Sequence, residues 1–245
     1  MTAALSGSLP RILTSGDTAL IVEFGRDIDP AVNRQVLTFD RNVASEVIPG
    51  ILETIPTYRS LLVHYDAEQV SFAALSEKLL ALAQLPVPTE TSVRRWRVPV
   101  VYGGEFGIDL DDVARTHGIS TADVIKHHSG SDYRVAMIGF TPGFAYLSGL
   151  DPAIATPRRA SPRTETPAGT ISIGGVQACV QCLAAPSGWH LLGRTPVRTF
   201  HPHRDPVFLM EPGDAVNFHA IAATEFAALD RAAERGDVVA ELMTS

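Results

Sequence analysis

Residues 136–198 constrain this chain more than any other stretch. They run AMIGFTPGFAYLSGL, then PRRASPRTETPAGTISIGG, then APSGWHLLGRTP. Glycine or proline recurs every few residues, and helical periodicity is almost absent. Proline fixes one backbone dihedral and glycine opens turns closed to other residues, so the segment predicts short strands joined by stiff turns. Arg158, Arg159, Arg163 and Arg194 would then project from rigid backbone rather than from mobile loops. A rigid frame that presents guanidinium groups to a concavity points to an anion-handling site.

The same pattern extends over 133–221, where strands are predicted at 133–140, 170–174, 176–183, 189–192, 207–211 and 215–221. Many short strands with frequent Pro/Gly turns predict a closed barrel. Glu211-Pro212-Gly213-Asp214 places Pro and Gly as a type II turn requires. Upstream, 93–102 alternates Trp96, Val98, Val100 and Tyr102 against Arg95 and Arg97, with Pro99 marking an edge strand. Two short helices follow. Asp109 caps the first and Gly118 ends it; Ser120 and Asp123 form a capping box for the second, with Ile119 stapled onto Val124. Residues 223–242 predict a final amphipathic helix with Phe226, Leu229 and Ala233 on one face.

The first ninety residues read differently. Thr18–Phe24 and Ser60–Tyr65 are strand candidates. Asp29-Pro30 opens a helix carrying Val32, Val36, Phe39, Val43 and Val47 at spacings of three and four, stopped by Pro49-Gly50. A second helix carries Phe72, Leu75, Leu79 and Leu82. This is the content of a small layered α+β unit. The polar, Pro-containing stretch 85–92 marks the boundary, so the expected domains are 1–88, α+β, and 93–245, a mainly-β barrel with a C-terminal helix.

Composition excludes several classes. A net charge of −7 over 245 residues argues against nucleic acid as a partner. No apolar run approaches the roughly 20 residues that span a bilayer, and the N-terminus lacks a basic region followed by an apolar one. Two cysteines fit a reducing cytoplasm, the expected location. They stand as Cys179-Val180-Gln181-Cys182. On a strand, positions three apart face opposite sides, so the expected reading is two small apolar side chains in a barrel wall, with no metal. His127 and His128 close the second short helix; there they answer the helix dipole, or serve as a general base or carboxylate partner. The arginines form either a solvated face or a preset fork for a carboxylate or phosphate. The chain has no G-x-x-x-x-G-K-[ST] phosphate loop and no G-x-S-x-G elbow.

GFTPGFAYLSGL, PRRASPRTETPAGTISIGG and SGWHLLGRTP, with VPVVYGGEFGIDLDDVA before them and EPGDAVNF after, resemble the KipI / 5-oxoprolinase B-subunit (PxpB) family, formerly called allophanate hydrolase subunit 1. GDTALIVEFG and IPTYRSLLVHYD extend the resemblance over nearly the whole chain. It implies an α+β N-terminal domain followed by a cyclophilin-like barrel. It also implies two partners, a KipA-like (PxpC-like) C-type protein and a LamB/YcsF-type protein, which with this chain open 5-oxoproline to glutamate using ATP. Mg-ATP would be bound jointly with the partner, and the substrate would be a small lactam or amide. Cationic and N–H donors near the developing oxyanion or phosphate would lower the barrier. The candidate catalytic residues are accordingly His128, Arg158, Arg163 and Arg194, and the candidate substrate contacts are Phe140, Pro142, Gly143, Phe144 and Tyr146. The resemblance leaves two other roles: a regulatory inhibitor of a sensor kinase, and an accessory for urea or allophanate amide hydrolysis or carboxyl transfer. The chain departs from the family pattern at Gln181-Cys182, where a Tyr-Pro pair is usual, and at Ser187, where glycine is usual. A serine would restrict a turn that needs positive φ, and the missing tyrosine removes a pocket wall.

Overall fold

A computed structural model of the chain describes residues 9–88 and 93–243. The chain divides into two compact units at residues 91 and 92, inside the polar connector, of which 89–92 lie outside the described residues.

In the first unit, β1 (Arg11–Thr14), β2 (Ala19–Glu23), β3 (Ile51–Pro56) and β4 (Ser60–Tyr65) form an antiparallel four-stranded sheet in the order β1-β2-β4-β3. Helices α1 (Pro30–Glu46) and α2 (Phe72–Leu82) supply the other half of its core. Asp29 caps α1 through the Ala31 N–H with Pro30 in the first turn, and Ser71 caps α2. Leu20, Val22, Leu61 and Val63 from the sheet and Val36, Phe39, Val43, Leu75 and Leu79 from the helices make one buried cluster. Each such side chain contributes about 1.5–3 kcal/mol by leaving water. Sequence periodicity locates both helices but misses β1 and β3. Val47 also departs from expectation. It takes a left-handed conformation after the last turn and lies exposed, because the helix has already ended at Glu46.

The second unit is built from β5 (Arg95–Tyr102), α3 (Leu110–His117), α4 (Thr121–Gly130), β6 (Tyr133–Ile138), β7 (Ala145–Ser148), β8 (Arg163–Thr166), β9 (Thr170–Gly174), β10 (Gln177–Val180), β11 (Ala185–Ser187), β12 (His190–Arg194), β13 (Ala215–Ala220), α5 (Ala223–Glu234) and β14 (Glu241–Met243). Strands run β12-β9-β10-β7-β6-β13-β5, and β12 pairs back onto β5, which closes a seven-strand barrel. β8 and β11 form a separate two-stranded ribbon. Val98, Val100, Val135, Leu147, Ile171, Ile173, Ala178, Val180, Leu192 and Val216 fill the interior.

Four expectations change here. β5 is not an edge: β13 lies along one side, while β14 covers residues 95–97 and β12 covers 101–102 of the other. Pro99 falls in the gap between those two partners, where a missing N–H costs no ladder bond. Residues 207–211 form no strand and make only a single bridge, Phe200 to Phe208. The last helix stops at Glu234, because Gly236 has a φ of +95° and the following residues turn back to pair with β5. Asp109 precedes α3 but makes no capping bond. Its carboxylate is committed elsewhere, as described below. By contrast, the Ser120–Asp123 capping box and the left-handed Gly118 are as expected.

Candidate functional site

Strand alternation places Ala145 and Leu147, Ile171 and Ile173, and Ala178 and Val180 inside the barrel. Tyr146, Ser172 and Cys179 therefore point outward, in register with one another. Over this outer face lies a small second cluster of Phe144, Cys179 and Trp189, with Tyr146 packed on it. Gly174 makes it fit: a Cβ there would lie 2.8 Å from the Trp189 indole, so the ring can rest against the strand.

Above this layer is an open cleft of about 280 Å3, with Phe140, Phe144, Tyr146, Arg158, Ser187 and Trp189 among its walls. Four rings follow one another around it. Phe140 meets Phe144 edge-on at 5.7 Å, Phe144 meets Tyr146 at 4.6 Å, and Tyr146 meets Trp189 edge-on at 6.0 Å. The Arg158 guanidinium stands 5.4 Å over the indole. Burial raises the Tyr146 phenol above its ordinary pKa, as does nearby Cys179, and Arg158 opposes both. Burial also pushes the Cys179 thiol up to about 12, and Ser172 Oγ sits 3.1 Å from its sulfur. That thiol is no nucleophile at neutral pH.

The turn 139–144 shapes one wall. Thr141 N–H donates to Gly139 C=O across Phe140, whose φ is +70°: a γ-turn in its strained, positive-φ form. Phe144 N–H then donates to Thr141 C=O around Pro142 and Gly143, a type II turn with Gly143 at φ +72°. Pro142 and Gly143 thus build the turn without lining the cleft, while Phe140, Phe144 and Tyr146 do line it.

The candidate cations part company. Arg158 lines the cleft and, among the described residues, makes no ion pair or hydrogen bond. Arg163 does not reach it. Its guanidinium donates to both carboxylate oxygens of buried Asp109, at 2.9 and 2.6 Å, and Arg159 donates to the same carboxylate at 3.2 Å. Asp109 also accepts from Leu191 N–H at 2.8 Å. Arg194 lies 5.3 Å over Phe226 of α5 and donates to Ala168 C=O. His128 is fully buried, stacked on Phe218 at 4.7 Å, with Nδ1 2.8 Å from the Tyr102 hydroxyl. Burial lowers its pKa to about 3, so it stays neutral beneath α4. His127 instead pairs with Asp151 at 2.7 Å. The cleft thus includes Arg158 and leaves out His128, Arg163 and Arg194, for the physical reason that each of these three is occupied by the fold.

Two departures from the family pattern prove to be accommodated. Ser187 is not among the positive-φ residues, and its hydroxyl accepts from Trp189 N–H at 3.2 Å, bracing the turn below the indole. The buried Gln181 amide bonds Thr166, Pro167 and Leu183, and the Cys182 sulfur accepts from Phe200 N–H. Both residues tie loops together outside the cleft. Residue-by-residue reading misses Trp189 and its neighbours as cleft walls. Their signal is the glycine beside an aromatic in SGWH.

A larger cleft of about 500 Å3 lies in the first unit. Its walls are apolar side chains with the polar groups of Gln35, Thr38, Asn42 and Gln84, and include no ionisable residue. Among the described residues, no helix is long and apolar enough to cross a membrane, and no three His, Cys, Asp or Glu residues are grouped to hold a metal ion.

The chain thus carries a closed barrel with an aromatic cleft on its outer face and a separate α+β unit, the content of a two-unit chain of the carboxyltransferase type. Residues 10–210 match the carboxyltransferase domain, subdomain C and D, and the chain belongs to that family. It is 37% identical over 222 residues to the B-type 5-oxoprolinase subunit of Bacillus subtilis, covering 86% of this chain and 92% of that one. The solved structure of TTHA0988 superposes with a TM-score of 0.74 at 34% identity, over 84% of this chain and 40% of that one. The Kluyveromyces lactis urea amidolyase has the same fold, with a TM-score of 0.80 at 21% identity, over 96% of this chain and 16% of that one. The chain therefore spans less than half the length of either solved relative.

Proposed function

We propose that the chain is the B-type component of an ATP-dependent 5-oxoprolinase, acting with a C-type and a LamB/YcsF-type partner. The observation that carries this reading is the 37% identity running through 92% of a protein named for that role. In the reaction, the lactam oxygen takes the γ-phosphoryl group of ATP, water adds to the activated carbon, the ring C–N bond breaks, and phosphate leaves. The products are glutamate, ADP and phosphate. This chain's share is recognition. The cleft offers aromatic faces and a single guanidinium; burial holds the Tyr146 phenol above its ordinary pKa, and the Ser187 hydroxyl is engaged by Trp189 N–H. One guanidinium is also too little charge for a triphosphate, so Mg-ATP is held jointly with the partner. The seven-strand ring supports the cyclophilin-like class for the barrel, and two buried free thiols fit a cytoplasmic location.

The test mixes the three purified proteins with ATP and 5-oxoproline and follows glutamate; no product with every component present rejects the substrate. A carboxyl-transfer accessory role is the second reading, favoured by the family to which 10–210 belong. It requires activity with a biotin carboxylase instead.

A further inference from the structure

We propose that the cleft over Trp189 is a carboxylate site for one small ring acid, and that Arg158 is the residue that recognises the carboxylate. The inference rests on the functional reading above and deepens it.

Charge bookkeeping among neighbouring arginines singles out Arg158. Arg159 and Arg163 share buried Asp109, and Arg198 pairs with Asp230 at 2.6 Å. Arg158, beside these anchored neighbours, makes no ion pair among the described residues; its guanidinium stands over the indole face. Stacking there leaves the edge N–H groups open for a forked pair of hydrogen bonds to an anion. The surroundings hold that geometry in advance. Arg159 N–H donates to Gly188 C=O at 2.7 Å, the His190 ring lies 2.9 Å from Pro157 C=O, and Asp109 ties Arg159, Arg163 and Leu191 to one point. Both residues flanking Arg158 are thus fastened to the segment 188–191 that carries Trp189. Asp109 acts through that clamp as a positioning residue. A preset fork loses little entropy on binding.

Size and wall chemistry name the ligand class. About 280 Å3 lies just below the roughly 300–1,000 Å3 of sites that take drug-sized molecules, so the cleft suits one small ring rather than a nucleotide. Aromatic faces favour a flat ring, and a single cation matches a single negative charge.

The experiment measures binding by calorimetry to the full chain, alone and with its C-type partner, using 5-oxoproline, 2-pyrrolidinone (the same ring without the carboxylate) and ATP as probes. Fluorescence of Trp189 gives a second readout. Arg158→Gln should weaken 5-oxoproline about 10- to 100-fold, as for loss of a charge-assisted pair, with an unchanged unfolding midpoint. Arg158→Lys, which keeps charge without the fork, should fall between. Binding of 2-pyrrolidinone should be the same in wild type and Arg158→Gln. The proposal is overturned if Arg158→Gln keeps wild-type affinity, if 2-pyrrolidinone loses as much as 5-oxoproline, if neither form binds 5-oxoproline, or if ATP alone shows the Arg158 dependence. A glutamate-producing assembly whose KM is untouched by Arg158→Gln sinks this proposal and spares the functional reading. An inactive wild-type assembly with Arg158-dependent binding of small ring acids does the reverse.

Discussion

Asp109 and Arg163 lie 54 residues apart in sequence, yet the guanidinium of one forks onto both oxygens of the other at 2.9 and 2.6 Å. Asp109 is almost wholly buried and Arg163 largely so. The pair fastens the start of β8 to the start of α3, and through Leu191 N–H to the barrel wall. An arginine that reads in sequence as a site cation is a structural anchor. Arg163→Ala should therefore destabilise the chain by about 2–4 kcal/mol, because it strands much of a buried carboxylate's charge. Urea unfolding at neutral pH measures this, and an unchanged midpoint would remove the anchor role. Asp109→Asn should cost a similar amount, and should raise the KM of an assembled enzyme more than it lowers kcat if the clamp positions Arg158.

Gly143→Val should cost about 3 kcal/mol or more. The residue sits at φ +72°, and a Cβ would fall 2.6 Å from Phe200 Cβ and 2.8 Å from Phe200 N. Strain and overlap act together here, and the second atom is backbone that cannot swing aside. Thermal unfolding of the purified variant checks the direction; a midpoint equal to wild type would show that the turn can relax.

Phe140 separates stability from function. It is exposed and holds a positive φ that costs a non-glycine residue about 1–3 kcal/mol. Phe140→Gly relieves that strain while deleting a cleft wall. The unfolding midpoint should stay level or rise, and activity of the proposed three-protein assembly should fall. A fall in both would mean that the ring's packing on Phe144 outweighs the strain.

His128 makes the barrel acid-sensitive. Its folded pKa, about 3, lies below the ordinary value of 6.5 because burial penalises the charged ring. Between those values the unfolded chain binds the proton that the folded chain refuses, so stability falls as pH drops. From pH 7 to 5 this one residue should remove about 2 kcal/mol. His128→Phe, which keeps the stack on Phe218, should flatten that slope in urea titrations at the two pH values, even if it lowers stability at pH 7. An unchanged slope would place the acid sensitivity elsewhere.

Cys179 should resist alkylation in the native chain, since burial holds its thiol near 12 and 0% of its surface is exposed. Iodoacetamide labelling followed by mass analysis should find it modified only in denaturant. Rapid labelling of the folded chain would contradict this placement.

Much of the architecture is legible in the amino-acid order. Helices α1 and α2 announce themselves through apolar spacing and their caps, and the Gly/Pro rhythm after residue 133 announces a barrel. The Glu211–Asp214 turn can be typed from its Pro and Gly positions, because such turns are dictated within four residues. The short strands β1, β3, β8 and β11 are not legible. They run three to six residues, and their pairing comes from partners rather than from any periodicity of their own. Pro99 misleads for the same reason, since its strand's neighbours end on either side of it.

The site divides along the same line. Local chemistry by itself determined that stiff turns would carry Phe140, Phe144 and a run of arginines, because those backbone restraints act between near neighbours. Which arginine faces the cleft was decided only by tertiary structure. Arg158, Arg159 and Arg163 are alike in sequence, and what separates them is a single buried carboxylate, that of Asp109, brought in from 54 residues away. His128 likewise reads as an acid–base group until folding buries it against Tyr102, Tyr133 and Phe218. Burial and pairing depend on where distant segments meet, and a linear pattern does not contain that information.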